Sequence, residues 1–499
     1  MRQRLARTLV FIFALGGLTT ARNLSAQQLT PEERTRVDEW FRRTSARTPD
    51  GQWGIVLGTM DGRVLWSFNP ELELIPASTA KLFTVGFARA RAGGTARIST
   101  RLIGRGRLDS VSGRWEGGWH LELGGDPTLE RAGREGPTLR ALARQLRDRG
   151  VRVIEGPLVL TSRTGPASSQ YPPVWAADFA GQLYAPPVGP VTLQENIISL
   201  SLRPGRDVGS PPSFVWAFPE GVERLVHMGA TTVGGRRSRL SLRANNEGGW
   251  TLIGTIGIDA RRYGISAVAH DPAMVLAYAW AAAVERAGIR WIKRNEPAAN
   301  SPYMPTVLAK VESPPFDTLA VEINRRSLNI GAELVLQWAA ASQTAGPSLL
   351  TQHVRDVVGP QARVHLVDGS GLSELNRVSP LTQVLYLARY PQLRGAERFP
   401  LLLPANGLGM RGLRYGMAKG VVRAKTGTLD RVASLAGYLG RRDGVLVISL
   451  MYNGRRIHAA RAAEWELFRL LGAEGVDVTG ALESIGAQYQ PAAESGLGL

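Results

Sequence analysis

What most limits the fold of this chain is that its β-type patterning comes in two end groups separated by a long stretch of different character. Near the start, "WGIVLGTMDGRVLWSFNP" (53–70) reads as a hairpin of two apolar runs joined around Asp61-Gly62. Near the end, "GVVRAKTGTL", "VASLAGYLG" and "VLVISLMYNG" read as antiparallel strands with Asp443-Gly444 as a turn, and the helix pattern "IHAARAAEWELFRLL" offers an apolar face to cover them. Between about 96 and 267 short strands alternate with Gly- and Pro-rich turns, interrupted by one clear helix, "TLRALARQLRDRG" (138–150). The expected organisation is a layered α/β domain built from both ends, 27–95 and 268–480, around an inserted, mostly β region at 96–267. Residues 481–499, rich in Gly, Ala, Ser and Gln, read as a loose tail.

Helix signals fit that plan. "TPEERTRVDEWFRRTSAR" has Thr30 as N-cap and acidic residues in its first turn. "DPAMVLAYAWAAAVERAG" (271–288) marks the return of helix after the insertion, and a helix starting at 75–84 ends at Gly93-Gly94. The first residues, "MRQRLARTLVFIFALGGLTTARNLSAQQ", carry Arg2, Arg4 and Arg7 ahead of an apolar run and a small-residue cleavage point at Ser25-Ala26. This is a secretory signal peptide pattern over 1–26, too short to span a bilayer. The mature chain is therefore expected in the periplasm or cell-wall space, with at most peripheral membrane contact.

The 499 residues include no cysteine, which removes disulfides, thiolate metal sites and a Cys nucleophile. Six histidines (120, 227, 270, 353, 365, 458) show no metal-ligand spacing, so neither metal nor cofactor is expected. The net charge is +18, but the basic residues are scattered without interleaved aromatics, and no nucleic-acid partner is expected. Only five of the 60 basic residues are lysines, at 81, 293, 310, 419 and 425. In so arginine-rich a chain, a lysine is a candidate for work that needs a cation able to lose its proton.

Lys81 follows Ser78 by three residues in "IPASTAKLFT", a spacing that puts both side chains on one helix face. A serine in the first helical turn has a backbone N–H free to face a developing oxyanion, and a buried lysine is a base for its hydroxyl. "RRSLNIGAEL" adds Ser327 and Asn329, uninformative alone. "RAKTGTL" sets Lys425, Thr426, Gly427 and Thr428 in a strand, where glycine admits a substrate backbone and Lys and Thr hold an anion.

In this order, Ser-x-x-Lys, Ser-x-Asn and Lys-Thr-Gly resemble the penicillin-recognising serine enzymes. "GGDPTL" (124–129), "YAPPVGPVTLQEN" (184–196) and "DGSGLSELNRVSP" (368–380) narrow the resemblance to class C low-molecular-mass penicillin-binding proteins, the D-alanyl-D-alanine carboxypeptidase/endopeptidase family, over about 50–455. The resemblance implies a penicillin-binding-protein/serine β-lactamase-like transpeptidase domain, with an antiparallel sheet flanked by helices. It also implies peptidoglycan stem peptides as substrate and β-lactams as covalent inhibitors. By the same resemblance Ser78 is the nucleophile, Lys81 its base, and Ser327, Asn329 and Lys425 complete the catalytic set, while Thr426, Gly427 and Thr428 bind substrate. A serine β-lactamase and a catalytically idle wall-binding protein are the alternatives on the same fold.

Some features depart from that pattern. Glu374 stands where relatives often carry Arg, "PANGLGMRG" (404–412) lacks the usual acidic residue, and "WAADF" (175–179) keeps a single acid, Asp178. "GLGMRG" fits a dinucleotide-loop spacing without the strand-to-helix setting such a loop needs. His365, Asp368 and Ser370 are too close in sequence to converge as a triad, and "DGSG" reads as a turn.

Overall fold

The computed structural model describes residues 28–133, 136–294, 302–407, 410, 417–480 and 482. The expected leader (1–26) and, apart from Leu482, the tail lie outside these residues.

The two ends of the chain do meet in one sheet. Its five strands run in the order Val422–Leu429, Val432–Arg441, Gly444–Asn453, Gln52–Thr59, Val64–Phe68, every neighbour antiparallel. The N-terminal strand pairs along its whole length with the last one, Ile55 opposite Leu450 and Leu57 opposite Ile448. Successive side chains alternate between two cores. Ile55, Leu57, Leu435, Ile448 and Leu450 pack on one face with Trp40, Leu467 and Phe468. Val56, Ala436, Tyr438 and Val447 pack on the other with Phe83, Leu350 and Tyr386. The first face is covered by the helices Pro31–Arg47 and Ile457–Gly472. The first of these starts with the expected Thr30 cap, whose hydroxyl accepts from Glu33 N (3.1 Å) while Glu33 accepts from Thr30 N (2.9 Å). The second face is covered by a helical layer that includes Lys81–Ala92, Phe316–Arg326, Asn329–Ala340, Gly346–Val358 and Pro380–Arg389. Helix Pro380–Arg389 lies close against the sheet, because a side chain at Gly54 would come 2.6 Å from Pro380 and one at Gly58 2.9 Å from Val384. The result is a three-layer α+β domain.

The inserted region has its own core, in which Trp119, Leu142, Leu146 and Trp280 pack together. Its largest sheet joins Arg290–Ile292, Val153–Glu155, Arg114–Leu123, Ser99–Asp109 and Thr306–Glu312, with Val159–Ser162 alongside. Two smaller sheets follow, centred on Ile197–Arg203 and Trp250–Gly257. The boundary expected at 267 is therefore too early. Helix Pro272–Arg286 shares the insertion's core, Arg290–Ile292 pairs with Val153–Glu155, and Thr306–Glu312 pairs with Ser99–Asp109. The chain leaves and re-enters the three-layer domain at one doorway, where Ser313 N donates to Ile98 O and Phe316 N to Ala96 O, both at 2.9 Å. The second half of that domain begins at about 314.

Candidate active site

Ser78 lies in a short 3-10 turn, Ala77–Ala80, that feeds the α-helix Lys81–Ala92; the continuous helix expected from 75 is thus tightened at its start. In a 3-10 turn residues three apart eclipse, so Ser78 and Lys81 line up more directly than on an α-helix. Hydrogen bonds lock the turn to the sheet. Pro76 O accepts from Ser434 Oγ (2.6 Å) and Thr79 Oγ (2.7 Å), while Gln383 links Thr79 to Ser449. Gly371, at φ 76°, lets the loop of the "DGSG" segment pass directly over Ala77, whose carbonyl any side chain there would strike.

Lys81 is fully buried. Its Nζ donates to Ser78 Oγ (2.9 Å), Asn329 Oδ1 (2.7 Å) and Ser370 O (2.5 Å). The chemistry of these partners decides what a neutral amine does here. Ser370 O can only accept, and so can Asn329 Oδ1, whose orientation is fixed because Nδ2 donates to Tyr184 O at 2.8 Å. Two N–H bonds go to these two oxygens, and the lone pair is left facing the Ser78 hydroxyl. Burial pushes the Lys81 pKa down to about 7, opposed by the carboxylates of Asp368 and Glu333.

The second pair is Lys425 and Ser327. Lys425 Nζ donates to Ser327 Oγ (2.9 Å) and Thr426 O (2.6 Å). Burial, followed by the positive charges of Lys81 and Arg461, holds its pKa well below the lysine range. Ser327 closes helix Phe316–Arg326 in a left-handed conformation (φ 55°, ψ 43°), and Asn329 opens the next helix. The break between two helices thus turns Ser327 to Lys425 and Asn329 to Lys81.

Gly427 sits where the Lys-Thr-Gly strand crosses the Ser78 turn. A Cβ there would lie 2.8 Å from Ser78 N and 2.7 Å from Pro76 O, so only glycine brings the backbone of Thr428 so close to Ser78. Thr426 is half-buried and Thr428 exposed, on an edge strand of the sheet. The eight residues singled out in the sequence therefore gather around two lysine amines and one strand edge.

Other groups at the site were not singled out as site residues in the sequence. Asp368 accepts from Gly371 N (2.8 Å), Ser373 N (2.7 Å), Asn376 Nδ2 (2.8 Å) and Trp175 Nε1 (3.1 Å), which shapes the loop that presents Ser370 O. Glu333 accepts from Gly369 N (3.0 Å) and Ser370 N (2.7 Å), and burial, with the Asp368 charge, raises its pKa to about 7. Arg461 donates to Thr428 Oγ (2.9 Å), Ser434 O (2.8 Å) and Gly427 O. Asp368 had a signal in the quoted "DGSGLSELN", whereas Glu333 on a helix and one arginine among 55 had none. His365 is exposed, on a strand paired with Arg377, and Asp368 is engaged by the loop's own N–H groups, so these residues form a turn. Glu374 and Asp178 are exposed; most of "GLGMRG" lies outside the described residues. Among the described residues, no cluster of three or more His, Cys, Asp or Glu is placed to hold a metal, and no helix is long and apolar enough to cross a membrane.

Comparison with known proteins gives the same direction. The D-Ala-D-Ala carboxypeptidase 3 (S13) family model matches residues 38–471. The chain belongs to that family. It is accordingly a serine-type D-Ala-D-Ala carboxypeptidase. It is 26% identical over 428 residues to the D-alanyl-D-alanine carboxypeptidase of Actinomadura sp. (strain R39), covering 80% of this chain and 77% of that one. It is 27% identical over 416 residues to a carboxypeptidase of Mycobacterium tuberculosis, covering 80% and 76%. The crystal structure of penicillin binding protein 4 from Haemophilus influenzae superposes with a TM-score of 0.69 at 20% identity, covering 86% of this chain and 98% of that one. That likeness extends to the fold as a whole, insertion included.

Proposed function

We propose that this carboxypeptidase acts on peptidoglycan stem peptides ending in D-Ala-D-Ala through an acyl-enzyme on Ser78, with DD-endopeptidase cleavage of cross-links as a companion activity. Neutral Lys81 takes the Ser78 proton as Oγ attacks the penultimate carbonyl. The oxyanion forms between the backbone N–H groups of Ser78 and Thr428, each contributing roughly 3–4 kcal/mol of transition-state stabilisation. As the C–N bond breaks, the proton that Lys81 took from Ser78 is passed through the Ser327 hydroxyl, assisted by Lys425, to the leaving D-alanine amine. Asn329 orients Lys81 and the acyl amide, and Thr426 and Thr428 hold the terminal carboxylate beside Gly427. Water then cleaves the ester. A β-lactam follows the same first step but keeps its amine tethered, leaving a slow ester. The solved complex of the Haemophilus influenzae protein with a β-lactam supports that outcome here. The leader pattern supports work in the periplasm or cell-wall space.

The observation that carries this reading is the Lys81 amine, dry, with two obligate acceptors on its N–H groups and Ser78 Oγ at 2.9 Å. Labelling with a fluorescent penicillin, alongside D-alanine release from a stem peptide, tests it. Wild type should label and release D-alanine, and Ser78→Ala should do neither. Labelling of the Ser78→Ala enzyme would place the nucleophile elsewhere. Loss of the label within seconds would instead indicate a β-lactamase.

A further inference from the structure

We infer that the ion pair between Glu195 of the inserted region and Arg326 is a positioning device for Ser327, through which the insertion takes part in proton delivery. The inference rests on the proton-donating role proposed above for Ser327.

Arg326 is the residue immediately before Ser327 and the last of its helix. Its guanidinium grips the Glu195 carboxylate with two parallel bonds, Nη1 to Oε1 at 2.5 Å and Nη2 to Oε2 at 2.7 Å. Arg131, also from the insertion, closes the group: its Nη1 donates to Glu322 Oε2 at 2.7 Å and its Nε lies 3.5 Å from Glu195 Oε1. Glu322 is one turn before Arg326 and 3.2 Å from it. Two arginines and two glutamates thus alternate across the seam, each element contributing one of either sign. The Glu195 and Arg131 side chains are only 10% and 7% exposed, and that of Arg326 is 31% exposed.

Both ends of this clamp are held in backbone conformations that L-residues avoid. Ser327 is left-handed, and so are Gln194, Glu195 and Asn196 in succession (φ 49°, 58° and 55°). The left-handed run is pinned by Asn196, whose Nδ2 donates to Pro187 O at 2.9 Å, and by Gln194 N donating to Leu129 O at 2.8 Å. A strained turn fixed this firmly points Glu195 at the one arginine that adjoins Ser327. The same segment also holds the other end of the motif, since Tyr184 O accepts from Asn329 Nδ2. The Ser-x-Asn break between two helices is gripped from the insertion on both sides. A residue in a disfavoured conformation between two helices can relax when one neighbour is released. Relaxation here takes Ser327 Oγ away from Lys425 Nζ.

The test is a double-mutant cycle in the full chain, with active enzyme counted by fluorescent-penicillin labelling. Glu195→Gln keeps the shape and removes the charge. It should lower kcat for D-alanine release about tenfold while KM stays within about twofold. Arg326→Lys keeps the charge and loses the fork, and should lie between this variant and wild type. In a Ser327→Ala background Glu195→Gln should cost nothing further. Equal losses in both backgrounds refute the clamp while leaving the role of Ser327 intact. A Glu195→Gln enzyme with a lowered melting temperature but wild-type kcat per labelled site refutes it too, by showing a purely structural bond. Wild-type kcat in Ser327→Ala alone refutes the proton-donor assignment, and the inference falls with it.

Discussion

Replacing Lys81 by arginine keeps a positive charge in place, removes the ability to lose it and adds bulk. The Lys81 amine is completely buried, with acceptors at 2.5, 2.7 and 2.9 Å. Burial brings its pKa to about 7, so near neutral pH about half of the molecules carry a lone pair aimed at Ser78. A guanidinium stays protonated at any working pH and has no lone pair to offer. A positioned general base is worth about 10²–10⁴-fold, and the larger head group adds about 1–3 kcal/mol of overpacking around Ser78 and Ser370. Lys81→Arg should therefore lose about 10³–10⁴-fold in the rate of acylation, close to the loss in Lys81→Ala. The sign of the pH dependence follows from the same group. In the proposed mechanism the active form is the deprotonated one, so wild-type acylation should rise with pH and level off above about 7. At pH 6 it should run at about one-tenth of the plateau. Stopped-flow acylation by a fluorescent penicillin between pH 5 and 9 reads both effects, and melting curves confirm that the variants fold. An arginine enzyme within about tenfold of wild type, or a wild-type profile flat across that range, would refute Lys81 as the base.

Two further perturbations probe the surroundings. Gly427→Ala puts a methyl group 2.7 Å from Pro76 O and 2.8 Å from Ser78 N. It should destabilise the fold by about 1–3 kcal/mol and abolish labelling of Ser78, and wild-type labelling with an unchanged melting temperature would show that the strand and turn are not in contact. Asp368→Asn removes a negative charge that raises the Lys81 pKa, so the acid limb of the acylation profile should move to lower pH. A limb that stays in place or moves up would show that Asp368 acts on the loop alone.

Much of the candidate site was readable because it resides in short peptides whose internal geometry is fixed locally. Ser78 and Lys81 are three residues apart, and an α-helix and a 3-10 turn both bring them together, so mistaking one for the other left the pair intact. Ser327 and Asn329 had no local signal, since their facing two different lysines depends on a left-handed residue between two helices. Ser370 acts through its backbone carbonyl, which any residue would supply; the informative residue was Asp368, which builds the loop. The end strands announced their sheet through alternation and turn residues. The insertion's end was misplaced because helix Pro272–Arg286 has the same apolar pattern whichever core it joins, and Arg290–Ile292 is too short to register as a strand. Which distant strand a segment pairs with is not contained in its own periodicity.

Both lysines are buried, and what differs between them is the company behind each. Lys425 has burial, Lys81 and Arg461 all driving it toward the neutral form. Lys81 has burial acting in the same direction, but Asp368 and Glu333 oppose it from behind the Ser370 loop. Neither carboxylate contacts the Lys81 amine; both are occupied by backbone N–H groups of residues 369–373. Their effect on Lys81 is therefore through space, in a low-dielectric interior where such effects are strong. Without them burial alone would take Lys81 further down. With them it stays near neutrality, where a base has both a useful free fraction and useful basicity. Under the proposed mechanism, the loop that looks in sequence like a failed triad carries, in Asp368, one of the two carboxylates that oppose the effect of burial on the base of Ser78.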